Sequence, residues 1–499
     1  MAADKRKASR HTETERKFAV TEDTVSPSFE GLSAVARVER SDPQHLDAVY
    51  YDTADHHLAA HRVTLRRRTG GPDAGWHLKL PAGPDSRTEV RLPLGEAEEA
   101  VPDELRDVVL AIVRDRALAP VARISTVRTV DELHGHSGAP LAEFCDDQVT
   151  ASAVGGAEQT WREWELELVE GAEAPADLLD RLANRLLDAG AQPAGHGSKL
   201  ARVLATSAPE QAPRHDDPVH RAVAEQIEEL LVWDRAVRAD TWDSVHQMRV
   251  VTRKIRSLVK GSEESFGLTD DAWVLEELKL LAGVLGVARD AEVLAERFER
   301  ALADLPAHLV RGPVRERLVD GANRRYQAGL KRSLAAMRSE RYFRLLDALD
   351  DLKTAGPVTS TSGAPPRQTT VASAYRKVHK AAKAALIAKA DPAVSAEGKD
   401  EALHRIRKGA KRLRYTAAAT GARNVAEGAK LIQTLLGDHQ DSVVSRAHLS
   451  TEASTAHAEG EDTFTYGLLF QLEDELARQS EDRLEGALRK LKKAVRAAG

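Results

Sequence analysis

The sequence predicts an α+β part followed by an all-helical part within one chain. Up to about residue 204, short segments such as RVTLRRRT and GWHLKLP alternate in polarity with period two and are bounded by Gly, Pro and Asp, which is typical of strands. From residue 219 onward, apolar residues recur at spacings of three and four, which is typical of helices. We therefore expect domains at 10–204 and 219–497, joined by a linker at 205–218 that contains the Pro-rich sequence SAPEQAP.

The composition favours Ala- and Leu-packed helices and excludes several functional classes. Hydrophobic residues make up 42% of the chain and aromatic residues only 4%. The formal net charge of −6 argues against a general nucleic-acid binder, so any anion site must be a local concentration of Lys and Arg. The single cysteine, Cys145, excludes an intrachain disulfide framework and a Cys-rich zinc site.

The sequence has no pattern typical of export or membrane insertion. Its opening, MAADKRKASR, lacks an apolar core, and no run of about 18 apolar residues is present to span a bilayer. We therefore expect a cytoplasmic protein that has no membrane partner.

Charged side chains recur on one face of successive predicted strands. Glu13, Glu15 and Lys17 share a face because side chains alternate along a strand. In a later strand, Glu163 and Glu165 point to one face, and Trp164 and Leu166 point to the opposite face. Because the inner face of an ordinary sheet is apolar, this pattern predicts a barrel with a charged lumen and an apolar outer face covered by helices. The same one-face pattern is formed by Arg66 and Arg68, by Lys79, by Arg87, Glu89 and Arg91, and by Glu163, Glu165 and Glu167.

A lumen that holds both cations and carboxylates is suited to metal-bound phosphate. Lys and Arg neutralise phosphate oxygens, and carboxylates hold a divalent cation that bridges those oxygens. We therefore expect the lumen to bind a triphosphate or a longer phosphate chain with a divalent metal. The alternative is an exposed sheet whose charged face carries cross-strand ion pairs.

A basic pattern, H-x-x-R-x-x-x-(R/K)-(K/R)-x-R, occurs twice in the helical half. Residues 246–256 read HQMRVVTRKIR, and residues 404–414 read HRIRKGAKRLR. On a helix, the first, fourth, eighth and eleventh residues of each copy lie within an arc of about 80°. Each copy is therefore a cationic stripe, and like charges at this spacing favour a polyanion as ligand. The alternative is a pair of solvated basic helix faces.

The two copies belong to a longer duplication. Leu285, Gly286 and Asp290 follow the first stripe, and Leu436, Gly437 and Asp441 follow the second. An internal duplication predicts two related helical bundles, 219–353 and 371–497, with a linker at 354–370 and a pseudo-twofold axis that makes the stripes face one groove. Because no aromatic ladder accompanies the stripes, base stacking is unsupported, and the pattern favours polyphosphate over single-stranded nucleic acid as the partner.

The N-terminal motifs, taken in order, resemble the CYTH domain of triphosphate tunnel metalloenzymes over about residues 10–204. The duplicated stripes, with their downstream Leu-Gly and Asp, resemble the CHAD domain over about residues 215–497, so the chain resembles a bacterial CYTH-CHAD fusion. The CYTH motifs are E-x-E-x-K at 13–17, R-x-R in TLRRRT, Lys79 in HLKLP, R-x-E in RTEV, Arg128 in STVRT, the pair Asp146 and Asp147, E-x-E in REWELE, and Ser198 and Lys199 in GSKL.

This resemblance implies an antiparallel eight-stranded tunnel that binds triphosphate with Mg²⁺ or Mn²⁺ and usually hydrolyses it. It implies catalytic roles for Glu15, Lys17, Lys79 and Glu165. Phosphate would be held by Lys17, Arg66, Arg68, Lys79, Arg87, Arg128 and Lys199, and metal by Glu13, Glu15, Glu163, Glu165 and Asp146. Glu167 is an alternative to Glu163 or Glu165, and the residue that activates water stays open among the three glutamates and Asp146.

The resemblance also implies that the helical domain binds inorganic polyphosphate. Two other functions share these motifs: a non-catalytic protein targeted to polyphosphate granules, and a class IV type adenylate cyclase. The polyphosphate contacts implied are His246, Arg249, Arg253, Lys254, Arg256, His404, Arg407, Lys411, Arg412 and Arg414.

Overall fold

A computed structural model describes residues 9–83, 85–95, 100–204, 217–268, 272–354 and 370–498. The chain divides into two compact units, Met1–Gln211 and Ala212–Gly499. Most of each predicted linker, at 205–216 and 355–369, lies outside the described residues. The predicted domain bounds therefore stay predictions.

The first unit is a closed eight-stranded antiparallel barrel, as predicted. The strands follow the order β1-β6-β5-β4-β3-β7-β8-β9, and β9 pairs with β1 to close the ring. Two short strands, β2 and β10, add to β7 and β1. The strands are β1 Ser9–Val20, β2 Arg37–Arg40, β3 Gln44–Asp52, β4 Thr64–Thr69, β5 Gly75–Pro81, β6 Ser86–Pro93, β7 Ala119–His134, β8 Pro140–Ala153, β9 Gln159–Leu168 and β10 Gln192–Pro193.

Helices cover part of the barrel's apolar outer face. The helices of this unit are α1 His57–Ala60, α2 Asp103–Val108, α3 Leu110–Val113, α4 Leu178–Asp188 and α5 Lys199–Val203. Leu182 and Leu186 of α4 pack in one buried cluster with Phe144, Trp164 and Leu166 of the barrel wall. The apolar parity of β9 thus faces outward, and its glutamates face the lumen, as the strand pattern predicted.

One end of the lumen is apolar, which the sequence pattern did not predict. Arg128 on β7 pairs with Asp147 on β8, and both side chains point inward. Ile124 and Val149 lie an even number of residues from them on the same strands, so they also point inward. They pack in a buried cluster with Leu200, Val203 and Leu204, which come from α5 and the residue after it. Helix α5 therefore closes this end of the barrel, and its first residue, Lys199, lies at the inner limit of the charged region.

The second unit contains two arrays of antiparallel helices. Both repeat one arrangement: a stripe helix, α7 or α12, packs between its neighbours, α6 and α8 or α11 and α13. The helices are α6 Pro218–Arg238, α7 Ser244–Gly261, α8 Trp273–Asp304, α9 Gly321–Ala336, α10 Glu340–Thr354, α11 Val371–Ala390, α12 Ala396–Ala419, α13 Arg423–Ala458 and α14 Phe464–Ala497. Short helical turns add Glu263–Phe266, Ala307–Leu309 and Glu316–Asp320. None of the described helices has the length and apolar character needed to cross a membrane.

The duplicated glycines explain why Leu-Gly follows each stripe. A Cβ atom built on Gly286 would lie 3.2 Å from Arg249 Nε, and one built on Gly437 would lie 3.3 Å from Arg407 Nη2. Arg249 and Arg407 therefore each lie against the backbone of the next helix, at a position that has no side chain. The two contacts are equivalent in the two halves, which agrees with the predicted duplication.

Candidate phosphate sites in the tunnel and the helical unit

Opposite charges are paired across several neighbouring strands of the barrel's inner wall. Directly paired residues on neighbouring strands point to the same face, so the pairs Glu13–Arg87, Lys17–Glu165 and Lys79–Glu89 all enter the lumen. The lumen therefore holds cations and carboxylates in contact. Its charged residues are Glu13, Glu15, Lys17, Arg66, Arg68, His77, Lys79, Arg87, Glu89, Arg91, Arg128, Asp147, Glu163, Glu165, Glu167 and Lys199.

Lys199 lies at the centre of three carboxylates. Its Nζ atom is 2.8 Å from Asp147, 2.9 Å from Glu163 and 2.7 Å from Glu165. These carboxylates raise the pKa of Lys199 well above its usual value, although burial opposes the charge. Because an ammonium has three donors, phosphate would have to replace one of these contacts, and the role of Lys199 in phosphate binding stays a prediction. Its described contacts neutralise a buried acidic cluster.

The structure places Asp146, a predicted metal ligand, outside the lumen, and its role in metal binding stays a prediction. Its carboxylate accepts hydrogen bonds from Arg162 Nε at 2.8 Å and from Ser26 Oγ at 3.0 Å, on the outward face of β8. Asp147 is the inward residue, and it accepts from Arg128 Nε at 2.7 Å and Nη2 at 2.6 Å. Strand alternation allows only one of two adjacent residues to face the lumen. Asp147 pairs directly with Arg128 on β7, which points inward, so the strand register identifies Asp147 as the inward residue.

Glu13, Glu15 and Glu167 form an acidic wall beside Lys79. Burial raises the pKa of Glu167 to about 7, aided by the negative charges of Glu13 and Glu15. Burial also raises the pKa of Glu13. For Glu15, the attraction of Lys17 and Lys79 outweighs burial and lowers the pKa to about 2. This wall thus contains both an ionised carboxylate and one that titrates near neutral pH.

Arg66 is the cation of the lumen with the fewest partners. Its Nη1 atom donates to Tyr50 Oη at 3.4 Å, and no described carboxylate lies within ion-pair distance of it. Arg68 is buried beside it and pairs with Asp73. Burial, with the repulsion of Arg66 and Arg128, lowers the pKa of Arg68 to about 9. These three arginines therefore form a concentration of positive charge with spare donors.

The remaining predicted phosphate contacts lie around the same space. Lys17 Nζ is 2.8 Å from Glu15 and 2.5 Å from Glu165, and Lys79 Nζ is 2.5 Å from Glu13. Arg87 lies 3.4 Å from Glu15 and donates to the carbonyl of Gly197. An open cavity of about 650 Å³ adjoins this region and is lined in part by Glu13, Arg68, Arg91, Arg128 and Glu167.

Sequence reasoning did not include Glu89 and His77 among the site residues. Glu89 is buried and accepts a hydrogen bond from His77 Nδ1 at 2.8 Å. The hydrogen bond from His77 and the charge of Lys79 outweigh burial and lower the pKa of Glu89. Burial lowers the pKa of His77 to about 4. Glu89 could have been identified because it shares a face of β6 with Arg87 in the R-x-E motif. His77, a lone histidine in GWHLKL, belongs to no motif that would identify it.

In the helical unit, the two stripes face one another across the contact between α7 and α12. The pKa of Lys411 is lowered to about 6 by burial and by repulsion from Arg253, Arg407 and Arg249. Arg253 belongs to the opposite stripe, and its own pKa is lowered to about 10 by burial and by Arg249, with Arg407 contributing. Arginines from both helices therefore surround one lysine, as the facing-groove hypothesis requires.

The histidines that begin the stripes lie at the same cluster. Burial lowers the pKa of His246, and Arg289 and Arg249 lower it further. Burial likewise lowers the pKa of His404, with Lys408 and Arg407 adding to the effect. Both imidazoles are thus neutral at neutral pH and can accept or donate hydrogen bonds beside the arginines.

The other predicted contacts are less central. Arg256 Nε donates to Leu275 O at 3.0 Å, and Arg414 Nη1 donates to Gln433 at 3.1 Å. Lys254 and Arg412 lie five residues after Arg249 and Arg407, which turns them about 140° away from the stripe axis. The pKa of Lys254 is lowered by burial against the attraction of Glu229 on α6. The first three positions of each stripe, which include Lys411, therefore lie within the facing cluster, and all of these contacts stay predictions.

If polyphosphate binds at the stripes as predicted, its affinity should depend on pH through Lys411. With a pKa of about 6 it is uncharged at about pH 8, and a bound polyanion would restore the charged form. Binding should therefore take up about one proton, and affinity should increase as the pH falls toward 6, by up to about tenfold per unit. Calorimetry in two buffers with different ionisation enthalpies would measure the uptake.

A lysine outside the groove provides the control for this measurement. Lys411→Met should remove the proton uptake, whereas Lys430→Met, at an exposed position of α13, should retain it. Equal binding heats in the two buffers for the unmodified protein would show that binding takes up no proton, which would contradict the lowered pKa of Lys411.

Comparisons with known proteins agree with this two-part structure. A model of the CYTH domain family matches residues 11–189, and a model of the CHAD domain family matches residues 221–450. Two Mycobacterium tuberculosis proteins, MT2285 of strain CDC 1551 and Rv2226 of strain H37Rv, both called uncharacterized, are each 63% identical over 514 residues, which covers 100% of both chains.

Three solved structures resemble parts of the chain. PptA from Streptomyces chartreusis is 18% identical, with a TM-score of 0.44 over 56% of this chain and 100% of its own. The CHAD domain from Ricinus communis is 21% identical, with a TM-score of 0.40 over 56% of this chain and 96% of its own. A Hippeastrum protein, described as a putative adenylyl cyclase with a dominant triphosphatase activity, is 13% identical, with a TM-score of 0.23 over 39% of this chain and 95% of its own.

The family matches confirm the predicted order of domains, and the mycobacterial relatives share it over their full length. The chain therefore belongs to the family of these two proteins, in which a CYTH domain is followed by a CHAD domain.

Proposed function

We propose that the CYTH domain hydrolyses inorganic triphosphate or a related phosphate chain with the help of a divalent cation. The observation that carries this proposal is the arginine group of the lumen, in which Arg66 has no described carboxylate partner and Arg68 has a lowered pKa. Positive charge that is only partly neutralised inside a barrel is stabilised by an anionic ligand. CYTH and CHAD domains are linked in general to triphosphate and polyphosphate binding.

Glu13 and Glu15 of the acidic wall would hold a divalent cation. They lie on one face of β1, with Glu167 directly opposite Glu15 on β9, and their negative charges contribute to the raised pKa of Glu167. Oxygen ligands of this kind suit Mg²⁺ or Mn²⁺, and the CYTH family is metal-dependent. A bound metal would neutralise charge on the phosphoryl oxygens.

The side chains of the lumen have distinct roles in the proposed reaction. Arg66, Arg68 and Arg128 bind the phosphoryl oxygens and meet the charge that accumulates on them in the transition state. Lys79 and Lys17 exchange part of their carboxylate contacts for phosphate. Glu167, with a pKa of about 7, can accept a proton from the attacking water at neutral pH.

We further propose that the CHAD domain binds inorganic polyphosphate in the groove between α7 and α12. The support is the contact between the two stripe helices together with the lowered pKa of Lys411, which burial and repulsion from cations of both stripes cause. Binding should weaken steeply with salt, because each phosphate contact releases a counterion from the chain.

Release of orthophosphate from tripolyphosphate tests the proposed activity. With Mg²⁺ or Mn²⁺, we expect the unmodified protein to release phosphate and Lys79→Ala or Glu15→Ala to lower turnover by at least ~100-fold, since each change removes charge from the reacting region. Both variants should still bind immobilised polyphosphate through the CHAD domain. Arg123→Ala, which removes an exposed cation from the outer face of β7, is the matched control.

The same assay separates the other two functions. No phosphate release from tripolyphosphate, nucleoside triphosphates or thiamine triphosphate would leave a binding or targeting protein. Pyrophosphate and a cyclic nucleotide from ATP would identify a cyclase instead of a hydrolase.

A further inference from the structure

A second acidic group lies apart from the tunnel's reacting region, where β2 pairs with β7. Glu39 is the direct partner of Glu132, and His134 follows Glu132 on the same face of β7. His134 Nε2 is 3.4 Å from Glu39 Oε2 and 3.6 Å from Glu132 Oε1. One ligand atom from each residue lies within 4.8 Å of the other two, which is a spacing that one metal ion can bridge.

The orientation of His134 points to a cation. The residue is only 6% exposed, and its Nδ1 atom lies 3.2 Å from the carbonyl oxygen of Gly138, to which it can donate. Its Nε2 atom is buried and makes no hydrogen bond with any described residue. A backbone carbonyl that fixes the Nδ1–H tautomer leaves the Nε2 lone pair free for a metal. In His134 that lone pair faces two carboxylates.

These carboxylates continue an unusual row of like charges. Glu39, Glu132, Glu143, Glu167 and Glu15 are direct cross-strand partners on five successive strands. Like charges placed directly opposite one another are destabilising, by about 0.2 to 1 kcal/mol for each pair. Lys17 and Arg87 offset the charge of Glu15 at one end of the row, and a cation near Glu39 and Glu132 would do so at the other end. Arg37 contacts Glu39, but that pair is solvent-exposed and offsets little of the repulsion.

We propose that Glu39, Glu132 and His134 Nε2 bind a divalent transition metal such as Zn²⁺. An imidazole nitrogen favours such a metal over Mg²⁺, for which oxygen ligands are preferred. Glu39 and Glu132 also line the open cavity of about 650 Å³, so this metal would have coordination positions open to that cavity. It is a site separate from the acidic wall of Glu13 and Glu15.

Co²⁺ added to the full chain without phosphate tests this site, because its visible absorption reports a nitrogen ligand and low coordination number. We expect a Co²⁺ band that Zn²⁺ displaces, and an affinity at least ~10-fold lower in Glu39→Gln and in His134→Gln. Glu15→Gln, which alters the acidic wall, should leave the band intact. Glu158→Gln, at an exposed position beyond β8, is the matched control.

Glu39→Gln keeps the test valid if His134→Gln fails to fold, because Glu39 is exposed and its replacement is isosteric. In ¹⁵N spectra of histidine-labelled protein, Zn²⁺ should shift the Nε2 resonance of His134. An unchanged Nε2 resonance, or a Co²⁺ band equal in Glu39→Gln and the unmodified protein, would overturn the proposal. Neither readout depends on phosphate hydrolysis.

Discussion

Charge reversal of the two facing arginines, Arg249→Glu with Arg407→Glu, should abolish retention of the protein on immobilised polyphosphate. Each arginine lies in the cluster around Lys411, and each is positioned against the backbone of the following helix. Loss of two charge-assisted contacts removes about 3 to 6 kcal/mol of binding, and the new carboxylates add repulsion. At ~0.15 M salt this corresponds to at least a ~100-fold loss of affinity.

A second double variant separates the groove from total charge. Arg405→Glu with Lys490→Glu causes the same change in net charge at two exposed positions, on α12 and α14. It should keep nearly all of the retention. Thermal unfolding of both double variants would show that the helices remain folded, and unchanged retention after reversal of Arg249 and Arg407 would remove the stripes from the binding site.

The two proposed phosphate sites handle positive charge in opposite ways. In the tunnel, the charges of Glu15 and Glu165 outweigh burial and raise the pKa of Lys17. In the groove, burial and surrounding arginines lower the pKa of Lys411. The tunnel is thus preorganised by its own carboxylates, and a ligand must replace some of their contacts. In the groove, repulsion outweighs attraction at Lys411, and a bound polyanion would reduce that repulsion.

The fold could be predicted from the sequence because its periodicities are strong. Alternation in β9 separates Trp164 from Glu165, and the structure places them on opposite faces of the barrel wall. The repeated stripe and its Leu-Gly sequence identified equivalent positions in the two halves, including Gly286 and Gly437. These signals depend on local geometry, so a single sequence is sufficient to read them.

Some features of the site could not be predicted, because they depend on more than local geometry. Alternation assigns a residue to a face but not to a depth along the barrel axis, so it did not show that Ile124 and Val149 line an apolar end closed by α5. It also allows either Asp146 or Asp147 to face inward until the register with β7 is known. Lys199 lies on a helix that enters the lumen, and its contacts depend on long-range packing that no motif encodes.

Removal of the Lys199 ammonium should destabilise the barrel and make its stability depend on metal. Lys199→Met leaves Asp147, Glu163 and Glu165 without their shared cation, and breaking a buried ion pair in this way costs about 3 to 5 kcal/mol. For a domain of this size, we expect the melting temperature to fall by ~6 to 20 °C. Thermal unfolding followed with EDTA would measure the loss.

A divalent cation should restore part of this stability, because the three carboxylates already have ligand atoms within 4.8 Å of one another. Mn²⁺ at ~100 times its dissociation constant would increase the free energy of unfolding of Lys199→Met by about 2.7 kcal/mol, and that of the unmodified protein by far less. Lys199→Met with Glu163→Gln should also recover stability without metal. Among the described residues, the other ion-pair partner of Glu163 is His196, an imidazole whose pKa is lowered, whereas Asp147 and Glu165 each also pair with Arg128. A Lys199→Met variant that melts at the original temperature in EDTA would show that the ammonium does not neutralise this cluster, and Lys199 would then be available for phosphate.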